Sequence, residues 1–295
     1  MKIPFLTKRA KHGKYGYLEY LRYTTGHLIT SQRQFFKLKK IMKEQQLATY
    51  FQPILNLQDG SCLGYEVLNR PPFSSLFPHT DAFYDYIGST NQVFAFEQFC
   101  RELSFKRYRD ALDYAPSAEQ GTVFINVHPD VLGDTNYRSG ETLRHLFRYG
   151  LKPEQIVFEL TEKQAVEDYE AFEKVLSNYR DQGFRIAIDD AGSGYNSLKS
   201  IVSLKPEFIK LDKSLVRHID SRPDQQRVVK LLQEFALESG THIIAEGIER
   251  TEELLFLRQH QIQFGQGYAL GKPATSLKYK WIAEWCAEVS GQYEA

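Results

Sequence analysis

Seven positions along this chain place a polar residue at the end of a short apolar run, and most of these residues are carboxylates. They are Glu66, Asn126, Glu159, Asp189 with Asp190 beside it, Lys210, Glu246 and Gln266. From Asn126 onward the spacings are 33, 30, 21, 36 and 20 residues, about one strand–helix unit each. Because the parallel strands of a barrel end at one face, we expect these side chains to converge on a single mouth.

Five carboxylates in one place repel one another and raise one another's pKa values unless positive charge lies among them. The single lysine of the series cannot neutralise five anions. Divalent cations with oxygen ligands can, and Mg²⁺ or Mn²⁺ suits carboxylate and carbonyl oxygens. No histidine closes these runs, which argues against zinc. The series therefore predicts a site for Mg²⁺ or Mn²⁺.

Each residue of the series also has an explanation that involves no metal. Asp190 could cap the helix that starts near Tyr195, Lys210 could be a surface lysine, and Glu246 could pair with Arg250. Taken together, these explanations require a coincidence at every equivalent position, so we favour the shared site.

The apolar runs that precede these residues predict the strands of a barrel. The first two, "YFQPILNL" and "SCLGYEVL", flank Asp59-Gly60 and predict a β-hairpin with a type I′ turn. Later runs such as "VFINV" (123–127) alternate with stretches whose apolar residues have helical spacing, which predicts a parallel sheet covered by helices. Residues 46–290 supply the roughly 250 residues of an eight-stranded barrel. The predicted fold is α/β, a modified TIM (β/α)₈ barrel with one antiparallel strand at the N-terminal hairpin.

The paired aspartates in "RIAIDDAGSGYNS" need an explanation of their own, because neighbours on a strand point to opposite faces. We expect Asp189 to be the last strand residue, pointing into the mouth. We expect Asp190 to belong to the following loop, turned back toward a second metal ion by the small residues after it.

Eight short motifs follow one another along the chain. In chain order they are "FQPI", "EVLNR" (Glu66 to Arg70), "FINV", "FELTE", "IDDAGSGYNSL", "FIKLDKS", "IIAEGIE" and "GQGYALGKP". In order and spacing they resemble the EAL family of cyclic-di-GMP phosphodiesterases, whose naming motif is Glu-Ala-Leu-x-Arg. Here Val67 replaces the alanine, and the resemblance covers roughly residues 33–275.

This resemblance implies a metal-dependent phosphodiesterase that hydrolyses cyclic di-GMP to linear 5′-pGpG. It implies two metal ions, Mg²⁺ or Mn²⁺, held by Glu66, Asn126, Glu159, Asp189, Asp190 and Glu246. The implied catalytic residues are Lys210, which matches the lysine that contacts the attacking water, together with Glu246 and Glu66. The implied substrate contacts are Arg70, which meets a phosphate, Gln266 and Gln52. Glu162 matches a glutamate that steadies the loop after the paired aspartates.

In such a site, two metal ions clamp the attacking and leaving oxygens of an in-line displacement. Lys210 would orient or deprotonate the water, and Arg70 would fork two hydrogen bonds to a phosphate. Ala191 stands where the family usually has Phe, which predicts a looser loop and slower turnover. Two alternatives stay open: a catalytically silent receptor that binds cyclic di-GMP and acts through a protein partner, and an interaction module that uses the basic N-terminal part.

Composition indicates a cytoplasmic protein. No apolar run among the 295 residues approaches the roughly 20 needed to span a bilayer, and the N-terminus lacks the apolar segment of a signal peptide. The three cysteines (Cys62, Cys100 and Cys286) are far apart and lack metal-binding spacing, which is typical of a reducing compartment.

The N-terminal part is basic although the net charge is zero. Residues 1–45 hold eleven Lys/Arg and two Asp/Glu, a balance of +9. Such a segment could lie on anionic lipid or nucleic acid, but we favour a solvated tail and a docked helix, and expect no specific nucleic-acid binding. We predict a basic N-terminal extension over residues 1–30 and a barrel domain over 31–290 that includes a lead-in helix and a C-terminal helix. The resemblance also implies a homodimer.

Overall fold

The structure, a computed structural model, describes residues 15–115, 121–128, 131, 140–161, 169–192 and 197–279. Its eight strands form a closed barrel. The strands are β1 (Ala48–Asn56), β2 (Cys62–Arg70), β3 (Thr122–Asn126), β4 (Ile156–Thr161), β5 (Arg185–Ala191), β6 (Phe208–Leu211), β7 (His242–Ala245) and β8 (Phe264–Gly265). They follow one another around the barrel in chain order. β1 is antiparallel to both of its neighbours, and the other adjacent pairs are parallel. The predicted barrel with one antiparallel strand is confirmed.

Nine α-helices belong to the described residues. They are α1 (Tyr15–Lys43), α2 (Thr80–Gly88), α3 (Val93–Leu112), α4 (Glu141–Arg148), α5 (Tyr169–Asp181), α6 (Ser197–Leu204), α7 (Lys213–Val216), α8 (Pro223–Ser239) and α9 (Thr251–Gln259). α8 begins at Pro223, whose missing N–H costs nothing in a first turn. It ends at Ser239 and is capped by Gly240, which takes a left-handed φ of 72° and donates its N–H to Ala236 O. Within the described ranges, no helix is long and apolar enough to cross a membrane.

The hairpin turn between β1 and β2 differs from the predicted type. A type I′ turn needs positive φ at both central residues, but of Asp59 and Gly60 only Gly60 has it, at 76°. The Asp59 carboxylate instead accepts hydrogen bonds from the backbone N–H of Ser61 at 2.8 Å and from its hydroxyl at 2.6 Å. The prediction of the hairpin is confirmed, and that of a type I′ turn is wrong because the side chain of Asp59 organises a longer loop.

One buried apolar residue from almost every strand fills the barrel interior. These residues are Ile54, Phe124, Val157, Ala187, Phe208, Ile244 and Phe264, with half-buried Leu63 packed against them. The rings of Phe124 and Phe208 meet edge to face with centroids 5.2 Å apart. A second apolar core lies among the strands β5 to β7 and the helices α8 and α9. The barrel is therefore a packed core and not a pore.

The described chain divides into two compact units. The first comprises residues 15–47 and 71–83, where α1 fully buries Leu38 and Ile41, and the Gln34 amide donates to Leu76 O at 3.2 Å. The second comprises residues 48–70 and 84–279 and contains the whole barrel. The predicted boundary between the N-terminal extension and the barrel domain, at residue 30, falls within α1. The division into these two domains stays a prediction. The predicted C-terminal helix lies outside the described residues from 280 onward.

Candidate active site

A layer of polar side chains lies directly on the apolar interior of the barrel. Inward-facing residues recur at every second position of a strand, so each polar residue follows an interior one by two positions. The pairs are Phe124 and Asn126, Val157 and Glu159, Ala187 and Asp189, Phe208 and Lys210, Ile244 and Glu246, and Phe264 and Gln266. On β1, which runs the other way, Gln52 precedes Ile54 and pairs in register with Glu66 of β2. The convergence predicted from spacing follows from this alternation.

Lys210 lies at the centre of the polar layer. Its Nζ is 2.6 Å from Glu159 Oε1, 2.8 Å from Glu246 Oε1, 3.2 Å from Asp189 Oδ1 and 3.7 Å from Glu66 Oε2. The side chain is only 1% exposed. Burial lowers the pKa of Lys210, but the four carboxylates outweigh burial and raise this pKa well above its ordinary value. The lysine is therefore a charged ammonium group inside the barrel.

The carboxylates around Lys210 hold more negative charge than the lysine can offset. Burial raises the pKa of Glu159 well above its usual range, and burial raises the pKa of Glu246 to about 8. Lys210 lowers both values, while Glu66 and Asp189 raise them. Such a site takes up either protons or further cations.

The paired aspartates lie in a β-bulge, which corrects the expectation that Asp190 belongs to a loop. β5 continues to Ala191, and its register with β6 shifts between Ile188, opposite Ile209, and Ala191, opposite Leu211. Two residues, Asp189 and Asp190, therefore oppose Lys210 alone. Asp190 has a φ of 57°, a left-handed value that an aspartate tolerates better than most residues. Its N–H bonds Asp189 Oδ1 at 2.9 Å.

This bulge brings both aspartates toward Glu246. One carboxylate oxygen from each of Asp189, Asp190 and Glu246 lies within 4.8 Å of the others. In addition, Glu159 Oε2 and Gln266 Oε1 are buried and have no hydrogen-bond partner within the part of the chain that the structure describes. Oxygen donors that are grouped, anionic and partly unsatisfied are the ligands that Mg²⁺ and Mn²⁺ favour. The residues present therefore fit such metal ions.

Glu66 accepts hydrogen bonds from two other side chains of the polar layer. Its Oε1 accepts from Asn126 Nδ2 at 3.2 Å, and its Oε2 accepts from Gln266 Nε2 at 2.5 Å. Gln52 is buried beside it and donates to Gly271 O at 3.1 Å. The Glu66 carboxylate therefore joins Asn126 and Gln266 in one hydrogen-bonded group, with Gln52 of β1 beside it in the strand register.

Two predicted site residues remain. Arg70 is the exposed last residue of β2, and Glu162 lies outside the described residues. Sequence reasoning missed Asn69, whose side chain forms two hydrogen bonds beside Arg70. Its only signal was a polar residue in a strand, between Leu68 and Arg70.

The chain matches the family model of the EAL domain over residues 37–273. It belongs to the EAL domain family. Among curated relatives, it is 28% identical over 241 residues to the probable cyclic di-GMP phosphodiesterase PdeB of Escherichia coli, covering 80% of this chain and 44% of that protein. PdeG of the same organism, with the same description, is 27% identical over 81% of this chain and 46% of its own length. The chain thus spans less than half of these relatives.

Solved EAL structures share this barrel. A standalone EAL protein from Vibrio cholerae in its cyclic-di-GMP-bound form has a TM-score of 0.67 and 28% identity, covering 79% of this chain and 95% of that one. BlrP1 from Klebsiella pneumoniae, in a complex with calcium and cyclic di-GMP, has a TM-score of 0.69 and 25% identity over 78% and 56% of the two chains. A manganese complex of BlrP1 with cyclic di-GMP also matches, with a TM-score of 0.67, 25% identity and the same two coverages.

Proposed function

We propose that this EAL domain hydrolyses cyclic di-GMP to linear 5′-pGpG with the help of two divalent cations, Mg²⁺ or Mn²⁺. The observation that carries the proposal is the excess of buried carboxylates over cations around Lys210. The names of the relatives and the ligands of the structural neighbours supply the substrate. The homodimer implied by the resemblance stays a prediction.

The proposed metal ligands are the six residues named from the motifs. They are Glu66, Asn126, Glu159, Asp189, Asp190 and Glu246. When bound, divalent cations neutralise charge on the phosphate and make water a better nucleophile. The carboxylates that now surround the Lys210 ammonium would then be shared between Lys210 and the metal ions.

The proposed catalytic and substrate residues have different roles. An ammonium group has donors and no acceptor, so Lys210 would orient the attacking water and offset phosphate charge but would not take a proton. Glu66 and Glu246 present carboxylate oxygens beside Lys210 and would accept the proton of that water. Arg70 would hold a phosphate through two parallel hydrogen bonds, while Gln266 and Gln52 would line the pocket. As water adds to phosphorus, the bond to the 3′ oxygen would break, and the proton accepted by the carboxylate would pass to that oxygen, which leaves as a hydroxyl.

The test is a product assay on the purified chain with cyclic di-GMP and either Mg²⁺ or Mn²⁺. We expect 5′-pGpG from the wild type and none from Glu66→Gln, which keeps the side-chain shape but loses the charge. Glu252→Gln is the matched control, since Glu252 is an exposed residue of α9. Binding of cyclic di-GMP without product under both metals would overturn hydrolysis and favour the receptor alternative.

A further inference from the structure

The end of β2 that carries Arg70 extends past the regular ladder of the barrel. β3 pairs with β2 only from Gly64 to Val67, whereas β1 pairs with it as far as Arg70, opposite Ala48. The last three residues of β2 therefore have a strand partner on one side only. A two-stranded end is weakly held unless other contacts support it.

Asn69 supplies those contacts through both its main chain and its side chain. The hydroxyl of Tyr84, on α2, donates to Asn69 O at 3.1 Å. The side-chain Oδ1 accepts from the hydroxyl of Thr49 at 2.6 Å, and Nδ2 donates to Ser104 Oγ at 3.0 Å. Three hydrogen bonds thus hold the residue immediately before Arg70.

The two side-chain partners of Asn69 are themselves fixed by α3. Arg107 Nη1 donates to Thr49 Oγ1 at 2.7 Å, and the Ser104 hydroxyl donates to Cys100 O at 2.7 Å. Thr49 and Ser104 are both buried. Because each hydroxyl already has its other partner, Thr49 needs an acceptor and Ser104 needs a donor, and the side-chain amide of Asn69 supplies both.

We propose that Asn69 is a positioning residue for substrate binding: its hydrogen bonds to Thr49, Ser104 and Tyr84 hold the end of β2 so that Arg70 is presented to a substrate phosphate. The inference rests on the proposed function. Asn69 does not touch the substrate; it restricts the backbone from which the Arg70 side chain extends. A held backbone lowers the ordering cost of binding.

The test compares steady-state kinetics of three variants with those of the wild type. We expect Asn69→Ala to raise KM about tenfold with kcat nearly unchanged, since it loses the two side-chain hydrogen bonds to Thr49 and Ser104, partly replaced by water. Tyr84→Phe removes one hydroxyl and should raise KM about threefold. Tyr114→Phe, on an exposed tyrosine, is the control and should leave both constants unchanged.

The deciding measurement repeats Asn69→Ala and Tyr84→Phe in an Arg70→Ala background. If they act through Arg70, they should not raise KM further in that background. An equal increase of KM with and without Arg70 would overturn the positioning role and leave the proposed function intact. Tyr84→Phe keeps the test valid if Asn69→Ala fails to fold. A wild-type chain that neither hydrolyses nor binds cyclic di-GMP would overturn the proposed function, and this inference with it.

Discussion

Two buried cations in the second unit have opposite surroundings. Arg101 of α3 and Lys210 of β6 are each 1% exposed. Arg101 Nη2 lies 3.3 Å from one carboxylate, Glu97 Oε2, and Nη1 donates at 2.9 Å to the hydroxyls of Thr142 and Tyr179. Lys210 instead faces four carboxylates.

The difference separates a structural cluster from a candidate active site. Around Arg101, one positive and one negative charge cancel, and neutral hydroxyls and the ring of Phe158, 4.9 Å from the guanidinium carbon, lie against the guanidinium. Around Lys210, the carboxylates are in excess, so the cluster is complete only when it gains positive charge. Burial alone does not indicate function; uncompensated charge of one sign does.

The largest expected effect is the loss of catalysis in Lys210→Met. Removing the group that is proposed to orient the water should lower kcat by about 10²–10⁴-fold, in the range of acid–base and water-positioning residues. Binding of cyclic di-GMP should change far less, which calorimetry would check. Lys213→Met, at an exposed position three residues further on, is the control. A Lys210→Met variant with near-normal kcat would contradict the contrast between the two cations.

Arg101→Met should lower stability and leave catalysis nearly unchanged. It leaves Glu97 buried and unpaired, and breaking a buried ion pair costs about 3–5 kcal/mol of unfolding free energy. The kcat/KM of the folded fraction should stay near the wild-type value. Urea unfolding and the product assay measure the two quantities, with exposed Arg144→Met as the control. A loss of kcat/KM without a loss of stability would show that Arg101 also serves the site.

Metal binding should become more stabilising as the pH rises. The folded-state pKa of Glu246 is about 8, above its ordinary 4.5, so the folded protein binds more protons than the unfolded chain between these values. The unfolding free energy of the metal-free protein therefore falls as pH rises through that window. Divalent cations need deprotonated ligands, so the Tm increase caused by Mg²⁺ or Mn²⁺ should be larger at pH 8 than at pH 6. An increase of equal size at both pH values would contradict the charge imbalance.

The smallest expected effect concerns the bulge. In metal-free protein, Asp190→Asn should change the unfolding free energy by less than about 0.5 kcal/mol, whereas Asp190→Val should cost about 1–3 kcal/mol because a β-branched residue is strained at positive φ. Both variants should lose most of the metal-induced Tm increase. Equal stability of the two variants would show that the left-handed backbone at Asp190 is not retained in solution.

The barrel and the gathering of its polar layer could be predicted because both follow from local rules. Strand alternation fixes which face Glu159 and Lys210 share, and parallel strands must end together. The position of Asp190 could not be predicted in this way, because a bulge depends on the register with the neighbouring strand. Asn69 was missed for a similar reason: its partners Thr49 and Ser104 lie 20 and 35 residues away, and no spacing rule connects them.

The left-handed backbone at Asp190 also bears on how such a domain changes over generations. Aspartate, asparagine and glycine are the residues that accept this conformation readily, and a single base change converts an aspartate codon into a codon for either of the others. One mutational step can therefore remove an anion from the mouth while the barrel keeps its backbone. The reverse base change restores it, so the fold permits a lineage to lose and regain this one carboxylate.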